Sequence, residues 1–149
     1  MYNRILVPVD GSDQSAAAVE HTLDLAEKYD ADVHAVYVVD TGTNLLTVSK
    51  DEVRDTLRDL GEETAEGVLR EVEGRVGDAD ADIDLVVDVL EGKPDEEILQ
   101  YADEHGIDLV VMGTHGRTGV KRRLLGSVTE RVIRDGDIPV LTVGGPSTS

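Results

Sequence analysis

Two stretches of this chain bring together residue types able to hold an anion. One is Asp10-Gly11-Ser12-Asp13. The other runs from Gly113 through Thr114, His115, Gly116, Arg117, Thr118 and Gly119 to Gly126 and Ser127. Glycines let backbone N–H groups come close to a phosphate, and a helix beginning near Ser127 would add unpaired N–H groups and its dipole. Arg117, Lys121, Arg122, Arg123, Arg131 and Arg134 crowd this part of the chain, with Glu130 the one acid between the first and last of them. Elsewhere the chain is acidic, with 32 acidic against 14 basic side chains and a formal net charge of −18. A phosphate would be drawn to such a local reversal of sign.

Simpler readings exist for the same residues. Ser127-Val128-Thr129-Glu130 has the form of a capping box, so Ser127 can serve as a helix cap. The glycines can be turn residues, the basic run a salt-bridged strip, and Asp10 a residue that closes its own turn. His115 is a candidate phosphate contact, although a loop histidine is more often solvated. His21, His34 and His105 show no metal-ligand spacing, and Tyr37 reads as packing or surface.

Two further motifs fail. Asp78-Ala79-Asp80-Ala81-Asp82 opens like a calcium loop, but Ile83 stands where glycine is required and Val89 where the bidentate glutamate belongs. Gly92-Lys93 is followed by Pro94 and lacks the earlier glycine of a Walker A loop.

The elements that must position these loops follow from periodicity. Residues 3–9 read as a strand leading through the Asp10–Asp13 turn into a helix that ends near Tyr29, with Ala16, Val19, Leu23 and Ala26 on one face. Residues 32–39 make a second strand. A long amphipathic helix, about 49 to 76, carries Val53, Leu57, Leu60, Thr64, Val68, Val72 and Val76, weakened by Gly61, Gly67 and Gly74. A third strand covers 82–90, and Gly92-Lys93-Pro94 opens a helix running to about His105. Ile107–Met112 is an uninterrupted apolar run, as expected of a strand covered on both faces. A helix from Ser127 to Arg134, a last strand 138–143 and a frayed tail 144–149 complete the chain. The alternation predicts one α/β domain, a doubly wound parallel sheet with helices on both faces, and ligand binding beyond the carboxyl ends of the strands.

Composition narrows the classes further. At 149 residues one core is expected. With no cysteine there is no disulfide, thiolate metal site or thiol nucleophile, which suits a cytoplasmic location. The opening apolar segment is too short for a membrane span or a secretory signal. The net charge argues against nucleic acid or a membrane as partner. So acidic a surface also resembles proteins of a high-salt cytoplasm, and stability is then expected to rise with KCl as self-repulsion is screened.

Gly113-x2-Gly116-x9-Gly126-Ser127 resembles the signature of the ATP-binding universal stress proteins, and Ile5–Ser12 and Ile138–Val143 are similar to that family's two ends. The resemblance covers essentially the whole chain. It implies the strand order 3-2-1-4-5, of the adenine nucleotide α-hydrolase-like type, which places the two loops over one cleft. It implies a site in which Pro8, Val9 and Asp10 line the adenosine side and the backbone of Val38 or Val39 meets the adenine edge. Met112, Gly113, His115, Gly116, Arg117 and Gly126 would surround ribose and phosphates, and Ser127, Val128 and Thr129 would hold phosphate oxygens. ATP, with Mg²⁺ bridging its phosphates, is the implied ligand, and a homodimer through the last strand the implied assembly. The implied role is a stress-response sensor with at most slow ATP hydrolysis or autophosphorylation, acting on a downstream partner that the sequence does not identify. The competing readings are an interaction module that binds no nucleotide and an ATP pyrophosphatase-type enzyme. That enzyme's Ser-Gly-Gly-x-Asp-Ser loop is only partly matched by Asp10–Ser15.

Overall fold

The computed structural model describes residues 2–40, 51–79, 82–114 and 126–144. Five strands and four helices alternate: β1 (Arg4–Pro8), α1 (Asp13–Tyr29), β2 (Asp32–Asp40), α2 (Asp51–Asp78), β3 (Leu85–Gly92), α3 (Pro94–Glu104), β4 (Leu109–Gly113), α4 (Ser127–Asp135) and β5 (Val140–Val143). The strands form one sheet in the order β3-β2-β1-β4-β5, all neighbours parallel, as the sequence and the resemblance imply.

Successive residues of a strand face opposite sides, so one run of apolar side chains serves two cores. Ile5 and Val7 of β1 and Leu109 and Val111 of β4 pack with α1 and α2. Leu6, Val110 and Met112 lie on the other face with Ile98, Tyr101 and Ala102 of α3 and Val132 of α4. Burial on both faces explains why β4 reads as a continuous apolar run rather than an alternating one.

Several boundaries and faces differ from expectation. The third strand starts at Leu85 and reaches Gly92, and the last starts at Val140 rather than Ile138. Ile138 instead packs into the α3/α4 core, while the Pro139 carbonyl accepts from Val110 N–H. The buried stripe of α1 includes Ser15, Ala18 and Thr22, and Ala16 is only half-buried. In α2 the stripe runs through Ala65, Leu69 and Val72, whereas Thr64 is exposed. Small residues set that register. A methyl group on Gly61 would lie 2.8 Å from a Val39 methyl, so glycine here brings the helix down onto the end of β2. The interior glycine costs about 1 kcal/mol of helix propensity, which close packing offsets. The expected tail is described only to Gly144.

Candidate functional site

The turn between β1 and α1 is closed by short side chains. Ser12 N–H donates to Asp10 Oδ1 at 2.9 Å, and Gly11 takes φ of 83°, which an L side chain rarely adopts. Ser12 caps α1, its hydroxyl accepting from Ser15 N–H at 3.1 Å. The Ser15 hydroxyl donates to the Ser12 carbonyl at 3.1 Å and accepts from Asp10 N–H at 3.4 Å. Asp10 therefore closes its own turn with one carboxylate oxygen. This rigidly places Asp10 at the carboxyl end of the central strand.

The first turn of α1 meets the end of β4 at Gly113. A methyl group there would stand 2.7 Å from Gln14 Cβ and 2.9 Å from the Gln14 carbonyl carbon. Glycine is thus what lets the first turn of α1 close onto the end of β4. Beyond Gly113 the chain is pinned by its backbone: Thr114 N–H donates to the Val143 carbonyl at 2.9 Å and Gly126 N–H to the Thr114 carbonyl. Thr129 is buried, and its hydroxyl donates to the Gly113 carbonyl at 3.0 Å.

The start of α4 corrects the capping-box expectation. Gly126, extended at φ −62° and ψ 155°, is the N-cap, and no side chain caps it. Its carbonyl accepts Glu130 N–H at 2.9 Å. Ser127 is one residue too far along to cap and is exposed as the first helical residue. The N–H groups of Ser127, Val128 and Thr129 precede the first intrahelical bond, so they form the electropositive end of the helix. The Thr129 side chain, having donated its hydrogen to Gly113, cannot also donate it to an anion; only its main chain remains for that.

The other expected contacts divide by strand geometry. Val36 C=O accepts Val9 N–H at 2.8 Å, so the polar backbone of Val36 faces β1. With a period of two, that of Val38 faces the same side, past the end of β1 at Pro8, while that of Val39 faces β3 in register with Glu91. Of the two, Val38 presents its main chain beyond the end of β1. The side chains of Val9, Val39 and Met112 belong to the cores, and Pro8 is half-buried. His115, Gly116 and Arg117 lie outside the described residues.

Sequence reasoning gave no role to Gln14 or Ser15 and named Thr114 only as one residue of its loop. Ser15 stands three residues after Ser12, the spacing of a cap and its N3 partner, and Gly113 is the signal for a close neighbour. Among the described residues no group of three or more His, Asp or Glu side chains is arranged to hold a metal ion.

The Universal stress protein family model matches residues 1–144. Universal stress protein MJ0531 of Methanocaldococcus jannaschii is 38% identical over 149 residues, spanning 98% of this chain and 84% of that protein. Among solved structures, universal stress protein UspA from Lactobacillus plantarum superposes with a TM-score of 0.83 at 29% identity, over 95% of this chain and 97% of that one. A universal stress protein in complex with cAMP superposes at TM-score 0.72 and 28% identity, over 96% of this chain and 97% of that one.

Proposed function

The chain belongs to the universal stress protein family, and from that premise we propose that it is an ATP-binding regulatory protein of the stress response. The observation that carries the reading is the bare start of α4. A helix N-terminus without a side-chain cap opens at the carboxyl end of β4, beside the end of β1, where Gly113 lets α1 close in. Such an end accepts a phosphate through backbone N–H groups and the dipole. The relative solved with cAMP supports an adenine nucleotide as the ligand class.

In this proposal the main chain of Val38 meets the base, Asp10 and the backbone at Pro8 and Val9 border the ribose, and Ser127, Val128 and Thr129 hold phosphate oxygens with their N–H groups. Gly116 and Gly126, with His115 and Arg117, complete the phosphate side. Mg²⁺, when present, would neutralise phosphate charge at this end of the site. Rapid turnover is not part of the reading. Asp10 is the one carboxylate in the β1–α1 turn that the reading places at the ligand, and its Oδ1 is committed to Ser12 N–H, which makes it a poor general base.

Calorimetric titration of Mg-ATP in molar KCl tests this. Saturable binding by the wild type that is lost in a folded Gly116→Val, Gly126→Val double variant is the expected result. A wild type that binds no adenine nucleotide would favour the interaction-module reading. We also propose a cytoplasmic homodimer through β5, a sheet edge on which Leu141 is 38% exposed. Light scattering at micromolar concentration should give twice the monomer mass.

A further inference from the structure

Far from the nucleotide crevice, toward the amino ends of the strands, three rings from β2 and α3 form a polar cluster inside the α3-side core. His34 is only 7% exposed and Tyr101 3%. His34 Nδ1 lies 2.7 Å from the Tyr101 hydroxyl. His105, one helical turn beyond Tyr101, stacks on the tyrosine with centroids 3.8 Å apart and planes 16° from parallel. Its ring centroid is 5.8 Å from that of His34. The main chain of His105 is tied to β1, because Arg4 Nη1 donates to its carbonyl at 3.1 Å.

We propose that His34, Tyr101 and His105 form a proton-operated latch between β2 and α3, closed while His34 is neutral and opened when His34 takes a second ring proton. The chemistry of the 2.7 Å contact supports this. In a neutral imidazole one ring nitrogen accepts, so Nδ1 can take the hydrogen of the Tyr101 hydroxyl. An imidazolium donates from both nitrogens. Nδ1 then donates to the tyrosine oxygen, and the hydroxyl hydrogen must find another acceptor in a core built of Leu6, Val36, Ile98, Ala102 and Val110. A buried donor left without an acceptor is costly, as is an uncompensated buried charge.

The surroundings oppose the cation. Burial, most strongly, and then His105 and Arg4 hold the His34 imidazole below its ordinary value, with Asp32 on the same strand acting in the opposite direction. From β3, Val86 stands beside His34 in register, and Asp88 adds to burial in raising the Tyr101 phenol, keeping it protonated. The sign follows from linkage. A base whose folded value lies below its unfolded value of about 6.5 binds more protons when unfolded, so stability falls as pH drops below about 6.5 and the loss is complete below the folded value. Aspartate and glutamate titrate mainly below about pH 5, so the carboxylates stay out of this window.

Native-state hydrogen exchange tests the latch in molar KCl, where repulsion between surface charges is screened. Protection factors of α3 amides should fall, by up to about tenfold, from pH 7.5 to pH 5.5 relative to β4 amides. In His34→Gln, whose side-chain carbonyl can still accept from Tyr101, the fall should vanish. Unchanged α3 protection in the wild type, or the same fall in the variant, would overturn the proposal. His105→Gln replaces a half-buried ring and guards against a His34 variant that fails to fold. In it the His34 titration followed by NMR should move upward and the loss of α3 protection between pH 7.5 and pH 5.5 should shrink, because a repelling neighbour is gone and the folded value moves toward the unfolded one. A His34 midpoint in the wild type at or above about 6.5, the ordinary value of an imidazole, would equally overturn it.

Discussion

At the carboxyl end of the sheet the closing contacts run through backbone groups, glycine and the short side chains of Asp10, Ser12, Ser15 and Thr129. Thr114 is bonded to Val143 and to Gly126 through main-chain atoms, and Gly113 lies against Gln14. At the amino end, side chains do the closing. The Asp108 carboxylate accepts the N–H groups of Asn3 and Arg4 at 2.8 and 3.1 Å, Arg4 reaches the His105 carbonyl, and His34 meets Tyr101. The difference teaches how one sheet divides its work. An end made of main chain and small residues leaves N–H groups and volume for a ligand, while an end knitted by carboxylate, guanidinium and imidazole spends its polar groups internally.

Substitutions at each end can break or sharpen this contrast. Gly113→Val should have the largest effect. The added carbons collide with the backbone of α1, and overpacking of this kind costs roughly 1–3 kcal/mol; chemical denaturation should show that loss, and calorimetry the loss of nucleotide binding. Unchanged stability would mean that the approach of α1 to β4 is looser than the 2.7 Å contact implies. Thr129→Val keeps the shape but removes the donor to the Gly113 carbonyl. Leaving a buried acceptor unpaired costs about 1–3 kcal/mol, read as a lower denaturation midpoint. Ser12→Ala removes the cap of α1 at about 1 kcal/mol and should weaken nucleotide binding by freeing the turn that holds Asp10. The smallest effect belongs to the amino end. Arg4→Met removes an exposed guanidinium and should stay within about 0.5 kcal/mol at neutral pH, with nucleotide affinity unchanged. A larger effect of Arg4 than of Ser12 on affinity would erase the distinction between the two ends.

Much of this was legible in the sequence, and the parts that were not have physical reasons. Alternating apolar periods gave the order of elements, because burial on one or both faces imposes them directly. The Asp10–Asp13 turn and the start of α4 were visible in their glycines and small polar residues. The cap of α4 was misplaced by one residue, since Gly126 and Ser127 are both good caps and only backbone geometry separates them. The buried face of α2 was read in part: Val68, Val72 and Val76 pack against the core, the side chains of Val53, Leu57 and Leu60 lie outside the described residues, and the shift from Thr64 to Ala65 and Leu69 was missed because Gly61 and Ala65 pack closely through being small, whereas periodicity weighs large apolar side chains. Choosing Val38 over Val39 required knowing where β1 stops. The His34 cluster went unseen because its members are distant along the chain, although Tyr101 and His105 are spaced to share a helix face.

The bond from Gly126 N–H to the Thr114 carbonyl ties the start of α4 to the last strand. Thr114 and Gly126 are held at adjacent points, Thr114 by the last strand and Gly126 by Thr114 itself. A change that disturbs the main chain at Val143 would therefore be felt at the start of α4 as well, because Gly126 is anchored to Thr114 and Thr114 in turn to the last strand.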